Sequence, residues 1–163
     1  MCGINLSQAP RGTDGCSVPT WAIPLSNLAY AFAHLGAPDK LPPPRAEAAR
    51  RLRSAVTAEP FMVAGTDRYC STLMALAGEA IFVKTGAEGV FCAALPEYGL
   101  GVALKCDDGA ARGSQYMLTA VLQRIGVLND EIAAQLDTMI TVPIENCNGA
   151  PVGMVRPSPT ITF

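Results

Sequence analysis

The chain has 163 residues, a length typical of one domain, and its 12 Lys and Arg against 14 Asp and Glu give a net charge of −2. Such a balance excludes the basic surface by which proteins neutralise phosphates, so we expect no nucleic-acid partner. Charged residues make up only 16% of the chain and hydrophobic ones 50%, which excludes a disordered chain. The same composition indicates more apolar surface than one small domain can hide, and therefore a partner surface or a missing piece of the same protein.

No stretch of the sequence predicts a membrane helix, because the most apolar one, residues 21–35, is interrupted by Pro, Ser, Asn and His. The first residues lack the basic segment followed by an apolar one that marks a secretory signal. The cysteines form no C-x-x-C pair; they are Cys2, Cys16, Cys70, Cys92, Cys106 and Cys147. We therefore expect a cytoplasmic protein with reduced thiols and no membrane partner.

The first part of the chain predicts a loop and two helices. Residues 1–24 are rich in Gly, Pro, Ser and Thr and are predicted to be loop. Apolar residues then recur at helical spacing from Leu25 to Leu35, and Gly36 ends this helix. The three consecutive prolines at 42–44 predict a stiff extended turn before a second helix at about 46–57. Its arginines predict a solvated helix face rather than an anion site; they are Arg45, Arg50, Arg51 and Arg53.

The middle of the chain predicts a short helix at 70–77 and then three strands, at 80–84, 89–94 and 100–106. The connections TGAEG and LPEYG are so short that they can join only antiparallel strands, which predicts a β-meander. Little polar alternation within these strands indicates burial on both faces and therefore helices on each side of the sheet.

The last part of the chain predicts two helices and a strand. The first helix, at about 112–125, ends at Gly126, and its apolar stripe consists of Met117, Leu118, Val121, Leu122 and Ile125. A short helix capped by Asp130 follows, to about Leu136, and residues 151–155 form one more strand candidate. The predicted fold class is α/β (α+β), an antiparallel sheet flanked by helices, in a single domain spanning 1–163.

The residues Lys84, Thr85 and Gly86 stand at the end of a predicted strand, before a tight turn. K-T-G in this position is one of the motifs of serine β-lactamases and penicillin-binding enzymes. The lysine brings a positive charge to an anionic substrate or a serine hydroxyl, and the small Thr and Gly let substrate lie along the strand. The alternative is a surface lysine before a hairpin. No serine of the chain is followed by lysine at the third position, so the S-x-x-K nucleophile that K-T-G would serve is absent.

A second candidate is the pair Asp14 and Cys16, which flanks Gly15 and can aim both side chains at one point from a loop. A thiolate with a further ligand could hold zinc, but two protein ligands are too few for a closed site. The alternative is a buried cysteine that behaves as a small hydrophobe.

Three other features carry weaker signals. The only histidine, His34, lies beside the apolar stripe of its helix, which argues against a Cys–His dyad. The sequence Asp107–Asp108–Gly109 could bind a cation, although a polar turn closing a strand is favoured. The cysteines inside predicted helices or strands are expected in the core; they are Cys70, Cys92 and Cys106.

Taken in order, four segments resemble the L-asparaginase II family of bacteria, the rhizobial-type asparaginases. They are DGCSVPTWAIPLSNLAYAFAHL, VAGTDRYCSTLM, FVKTGAEGVFCAALPEYGLGVALKCDDGAARGSQ and PVGMVRP. The resemblance runs from Asp14 to Arg156, and VKTGAEG together with ALKxDDGAxR is its most specific part. It implies hydrolysis of L-asparagine to L-aspartate and ammonia, in a fold similar to that of serine β-lactamases and glutaminases.

The resemblance also implies roles for individual residues. Sites of this family combine Ser–Lys pairs with a nearby zinc ion bound by two cysteines and a lysine. Lys84 of the K-T-G motif is then the serine-activating lysine, with Thr85 and Gly86 binding substrate. The D-G-C motif implies that Asp14 orients substrate or ligand and that Cys16 binds zinc.

Cys70, in RYCS, matches a further cysteine near the family's site. The N-terminal half of the family protein holds the S-x-x-K serine, a second serine and an N-C-S-G-K-H segment, none of which occurs here. We therefore interpret the chain as the C-terminal part of an asparaginase, inactive by itself, with zinc in the intact enzyme and possibly none in this chain.

The alternative is a non-catalytic remnant or subunit that folds by pairing with the missing N-terminal half or with a second copy. A third hypothesis is a penicillin-interacting protein, although S-x-x-K and S-D-N are both absent from the sequence.

Overall fold

The computed structural model describes residues 1–156. The helices are α1 (Leu25–Gly36), α2 (Pro43–Ala58), α3 (Pro60–Ala64), α4 (Tyr69–Ala77), α5 (Ala111–Ile125) and α6 (Asp130–Ile140). The strands are β1 (Arg11–Thr13), β2 (Pro19–Trp21), β3 (Phe82–Thr85), β4 (Val90–Leu95), β5 (Leu100–Lys105), β6 (Pro143–Glu145) and β7 (Pro151–Met154). The predicted class, α/β with an antiparallel sheet flanked by helices, is confirmed. No helix in this described part combines the length and apolar character needed to cross a bilayer.

The central sheet is the predicted meander, with strand order β3-β4-β5 and antiparallel pairing throughout. Thr85 of β3 stands opposite Phe91 of β4, and Lys84 stands opposite Cys92. The middle strand β4 is buried from Phe91 to Leu95, as expected for a strand covered on both faces.

Helix α1 covers one face of this sheet. The ring of Phe32 in α1 stacks on Phe82 in β3 with 6.0 Å between ring centroids. Gly101 of β5 lies directly under α1, since a Cβ atom there would overlap the carbonyl oxygen of Ala29 and the amide of Ala33. Only glycine allows this approach.

The hydrophobic core spans both faces of the sheet, and α4, α5 and α6 contribute to it from the face opposite α1. Tyr69 of α4 meets Phe91 of β4 edge to face, with ring centroids 5.5 Å apart. The side chains with no exposed surface in this cluster are Leu73, Met74, Ile81, Val83, Phe91, Ala93, Ala94, Leu95, Leu118, Leu122 and Leu136.

Two hairpins lie outside this core, and the loop predicted for residues 1–24 is wrong in part. Strands β1 and β2 pair antiparallel, and every residue of both is exposed. The turn between them closes through hydrogen bonds from the Asp14 amide to the Val18 carbonyl (3.0 Å) and from the Ser17 amide to the Asp14 carbonyl (2.8 Å). Strands so short and so exposed have no apolar alternation that a sequence pattern could reveal.

The proline run does not form the predicted extended turn. Residues Pro38–Lys40 form a 3₁₀ turn, and α2 begins at Pro43 with Pro44 in its first turn. Proline is tolerated there because the first amides of a helix have no intrahelical acceptor. Helix α3, which follows directly, was not predicted.

Helix α6 differs from its prediction at both ends. Its cap is Asn129, not Asp130, and the Asn129 Oδ1 accepts a hydrogen bond from the Ile132 amide at 2.9 Å. The helix continues to Ile140, which is buried together with Leu136. In α5, the sequence places Met117 on the buried apolar stripe. The structure leaves this side chain 37% exposed, so Met117 is not part of the buried face.

The arginines of α2 are only partly a solvated face. Arg45, Arg50 and Arg51 are exposed as predicted, and Arg53 is half-buried. Arg50 forms an ion pair with Asp39 at 2.6 Å, and Arg53 donates a hydrogen bond to the Gly36 carbonyl at the end of α1. These two contacts join α2 to the segment that follows α1.

Candidate active site

The K-T-G motif ends the edge strand of the central sheet. Lys84 is exposed, and its Nζ donates a hydrogen bond to the Thr85 carbonyl at 2.8 Å. The Gly86 amide donates to the Val90 carbonyl at 2.8 Å and closes the turn into β4. Because β3 has a paired neighbour on one side only among the described strands, the motif lies on a strand edge without a strand partner there.

The turn after K-T-G is anchored by a second turn. The Cys106 amide donates a hydrogen bond to the Gly89 carbonyl at 2.9 Å. A Cβ on Gly89 would lie 2.8 Å from the Cys106 Cβ, and one on Gly113 would overlap the Cys106 Sγ. Gly89 also has φ of 72°, a conformation that side chains disfavour. The sequences A-E-G and C-D-D-G are therefore packed against each other.

Asp108 organises that second turn. Its Oδ1 accepts hydrogen bonds from the Ala110 amide (2.9 Å) and the Cys106 thiol (3.0 Å), and its other oxygen pairs with Arg112. The thiol and amide hydrogen bonds, aided by Arg112, lower the pKa of Asp108, while the carboxylate raises the pKa of Cys106. The prediction of a polar turn at this position is confirmed. Cys106, expected in the core, is only half-buried.

Cys70 lies behind the K-T-G strand end. It is 2% exposed in the first turn of α4, a helix that contacts β3. Burial raises the pKa of the Cys70 thiol, and the Thr85 backbone and the charges of Lys84 and Arg68 partly oppose this. The structure therefore brings Cys70, Lys84 and Thr85 together, although they come from separate predicted elements.

Asp14 and Cys16 lie together in the β1–β2 hairpin. The Cys16 Sγ donates to the Asp14 Oδ2 at 3.6 Å, and the Gly15 amide donates to the other carboxylate oxygen at 2.6 Å. The predicted convergence of the two side chains is thus observed. The alternative of a buried cysteine is wrong, because Cys16 is exposed.

The described residues do not provide a complete set of ligands for the zinc ion that the resemblance implies. In residues 1–156 no group of three or more His, Cys, Asp and Glu side chains is arranged to hold a metal ion. Zinc in proteins takes at least three protein ligands. The hairpin also makes no extensive contact with β3 in this part of the chain. Asp14 and Cys16 could supply only part of a zinc site.

A buried polar contact beside Cys70 has no signal in the sequence. The hydroxyl groups of Tyr69 in α4 and Thr119 in α5 are 2.7 Å apart and buried. Fifty positions separate the two residues in the sequence, so no local pattern could have linked them.

His34, in α1, contacts the Tyr30 ring edge to face at 4.4 Å between centroids. It is half-buried and shares this contact with an aromatic side chain, not with a cysteine.

A comparison with protein families identifies the chain. The family model described as L-asparaginase II matches residues 1–157. The chain belongs to the L-asparaginase II family. The match covers all the segments that suggested this family and supports an asparaginase-type, amide-hydrolysing function at the level of the family. The comparison with curated proteins gave no significant match.

Proposed function

We propose that Lys84 of this chain belongs to an L-asparaginase site whose serine nucleophile lies outside these 163 residues, in the N-terminal half of the family protein. The observation that carries the proposal is the K-T-G motif, with an exposed lysine, at the end of the sheet's edge strand in a chain of the L-asparaginase II family. The exposed Lys84 amine is accessible to a hydroxyl group brought from outside, and the turn beside it is anchored through Gly89. Because these residues contain no S-x-x-K sequence, the proposal includes the N-terminal half that would carry the serine.

In this mechanism the serine Oγ attacks the side-chain amide carbon of L-asparagine while its proton passes to the Lys84 amine. The C–N bond then breaks, the nitrogen takes up a proton and leaves as ammonia, and an aspartyl ester of the serine remains. Water hydrolyses this ester and releases L-aspartate. Thr85 and Gly86, both small, let the substrate lie along the edge of β3.

Asp14 and Cys16 have secondary roles in the proposal. Asp14 orients substrate or a ligand, and Cys16 contributes one thiolate to zinc in the intact enzyme. Since the described residues do not complete a zinc site, no catalytic step is assigned to the metal. Cys70 shapes the site from behind β3, and the cytoplasm is the expected compartment.

Reconstitution tests this proposal. The chain is produced together with the N-terminal half of a longer family member, and ammonia release from L-asparagine is measured. We expect activity from the pair, none from this chain alone, and none from a pair that carries Lys84→Ala. Lys40→Ala, at an exposed lysine of the 3₁₀ turn after α1, is the matched control and should retain activity. Turnover by the 163-residue chain alone would show that the catalytic groups have been misassigned.

A second candidate is a non-catalytic subunit that is stable only when paired. Two observations favour it: β5 has a paired neighbour on one side only among the described strands, and apolar side chains project from α2 and α3. The most exposed of these are Met62 (78%), Leu52 (62%) and Phe61 (59%). Light scattering that finds a dimer, together with an inert reconstituted pair, would favour this function over the first.

A further inference from the structure

The hydrogen bond between the buried hydroxyl groups of Tyr69 and Thr119 has a defined donor and acceptor. The Thr119 Oγ1 donates its hydrogen to the Gln115 carbonyl one turn earlier in α5, at 3.0 Å. Its proton is therefore used, and the Tyr69 hydroxyl must donate to Thr119 across the 2.7 Å contact. Both side chains are nearly inaccessible, Tyr69 at 2% and Thr119 at 3% exposure. The pair is a polar link between α4 and α5 inside an apolar core.

Tyr69 also connects this link to the K-T-G strand. Its ring packs edge to face on Phe91, which is fully buried and stands directly opposite Thr85 in the sheet register. Tyr69 is the first residue of α4, and the next residue, Cys70, lies behind the strand end. A tilt of the start of α4 would displace both the support under Thr85 and the Cys70 thiol.

We infer that Tyr69, held by Thr119, is a positioning residue that fixes the start of α4 and with it Cys70 against the Lys84–Thr85 strand end. Any effect of Tyr69 on catalysis rests on the proposed function of Lys84. The position of Cys70, in contrast, can be measured without a catalytic assay. An apolar core can pack in several nearby arrangements, whereas a buried hydrogen bond with two defined partners is satisfied in only one of them.

The test follows the rate at which iodoacetamide alkylates each cysteine of the full chain, resolved by peptide mass spectrometry. Tyr69→Phe and Thr119→Val keep the packed volume and remove the link, so Cys70 should react about tenfold faster in both. Thr119→Ser retains the hydroxyl and should react at the wild-type rate. Cys92, which is 4% exposed on β4, reports general loosening and should not change. The double variant should equal either single variant.

Equal acceleration of Cys70 and Cys92 would overturn the inference, because the pair would then stabilise the whole fold and position nothing. An unchanged Cys70 rate, or additive effects in the double variant, would overturn it as well. Failure of the ammonia assay leaves this result intact, so failure of the proposed function can be told apart from failure of the positioning role.

Discussion

Gly89 and Cys106 are in backbone contact: the Cys106 amide bonds to the Gly89 carbonyl at 2.9 Å, and there is no room for a side chain on Gly89. The contact joins the turn that follows K-T-G to the turn that precedes α5. Gly113, in the first turn of α5, lies against the Sγ of the same cysteine. The small residues in this region are therefore explained by the space that Cys106 occupies.

Gly113→Ala should not stabilise the protein, because the added methyl overlaps the Cys106 sulfur, which must rotate away and give up its hydrogen bond to Asp108. In an open helix the same change would stabilise by about 0.5–1 kcal/mol, so the absence of any gain is diagnostic. The measurement is the midpoint of urea unfolding. Cys106→Ala removes the overlapping sulfur, so in that background Gly113→Ala should stabilise the protein; the same effect in both backgrounds would mean that the sulfur is not the cause.

Gly101→Ala should cost about 3 kcal/mol or more, since the methyl would meet backbone atoms of α1 and no side chain can move aside. We expect α1 to separate from β5, which hydrogen exchange should register as lost protection in residues 25–36. Gly15→Ala is the control, because a Cβ there has no neighbour within 4 Å. Unaltered protection of α1 would contradict the close approach.

The buried Cys92 should make the fold sensitive to alkali. Burial raises the pKa of Cys92 to about 11 from 9.0, so the unfolded chain loses this proton first as the pH rises. Its contribution to stability is complete below pH 9 and lost between 9 and about 11, to a total of about 2–3 kcal/mol. Unfolding free energies at several pH values should fall more steeply in the wild type than in Cys92→Ala. Parallel curves for the two proteins would contradict the assignment.

The purified chain should bind zinc weakly and below one ion per chain. Of the ligands that the resemblance implies, only Cys16 is present, and the described residues provide no cluster of three donors. Elemental analysis after dialysis, with competition by a chromophoric chelator, measures this. One tightly held zinc per chain, lost in Cys16→Ser, would contradict this prediction and show that Cys16 belongs to a complete zinc site.

The sequence predicted the sheet well, because its signals are local. The turns TGAEG and LPEYG are too short for any connection but a hairpin, and strands β3, β4 and β5 lie within two residues of their predicted limits. Helix α5 was also predicted closely, since its apolar period runs to a glycine in the left-handed conformation at Gly126. Periodicity and turn chemistry were sufficient for these elements.

The errors have physical causes of two kinds. The proline run predicts no helix at Pro43 and Pro44, although the first turn of a helix accepts proline. The sequence predicts Asp130 as the cap of α6, although Asn129 makes the capping hydrogen bond. The exposed hairpins and the Tyr69–Thr119 contact depend on partners that no periodic pattern marks. For the site, sequence motifs indicated Lys84 and Cys70 separately, and only the packing of α4 on β3 shows that they are neighbours.

The most direct test of the proposed mechanism is to determine which polypeptide carries the acyl group. The reconstituted pair is mixed with L-asparagine, quenched with acid within its first turnover, and weighed by intact-protein mass spectrometry. We expect an aspartyl ester on the serine-bearing partner, no adduct on this chain, and no adduct at all when Lys84 is replaced by alanine. An aspartyl adduct on this chain, or one on the partner that forms at an unchanged rate with Lys84→Ala, would contradict this mechanism.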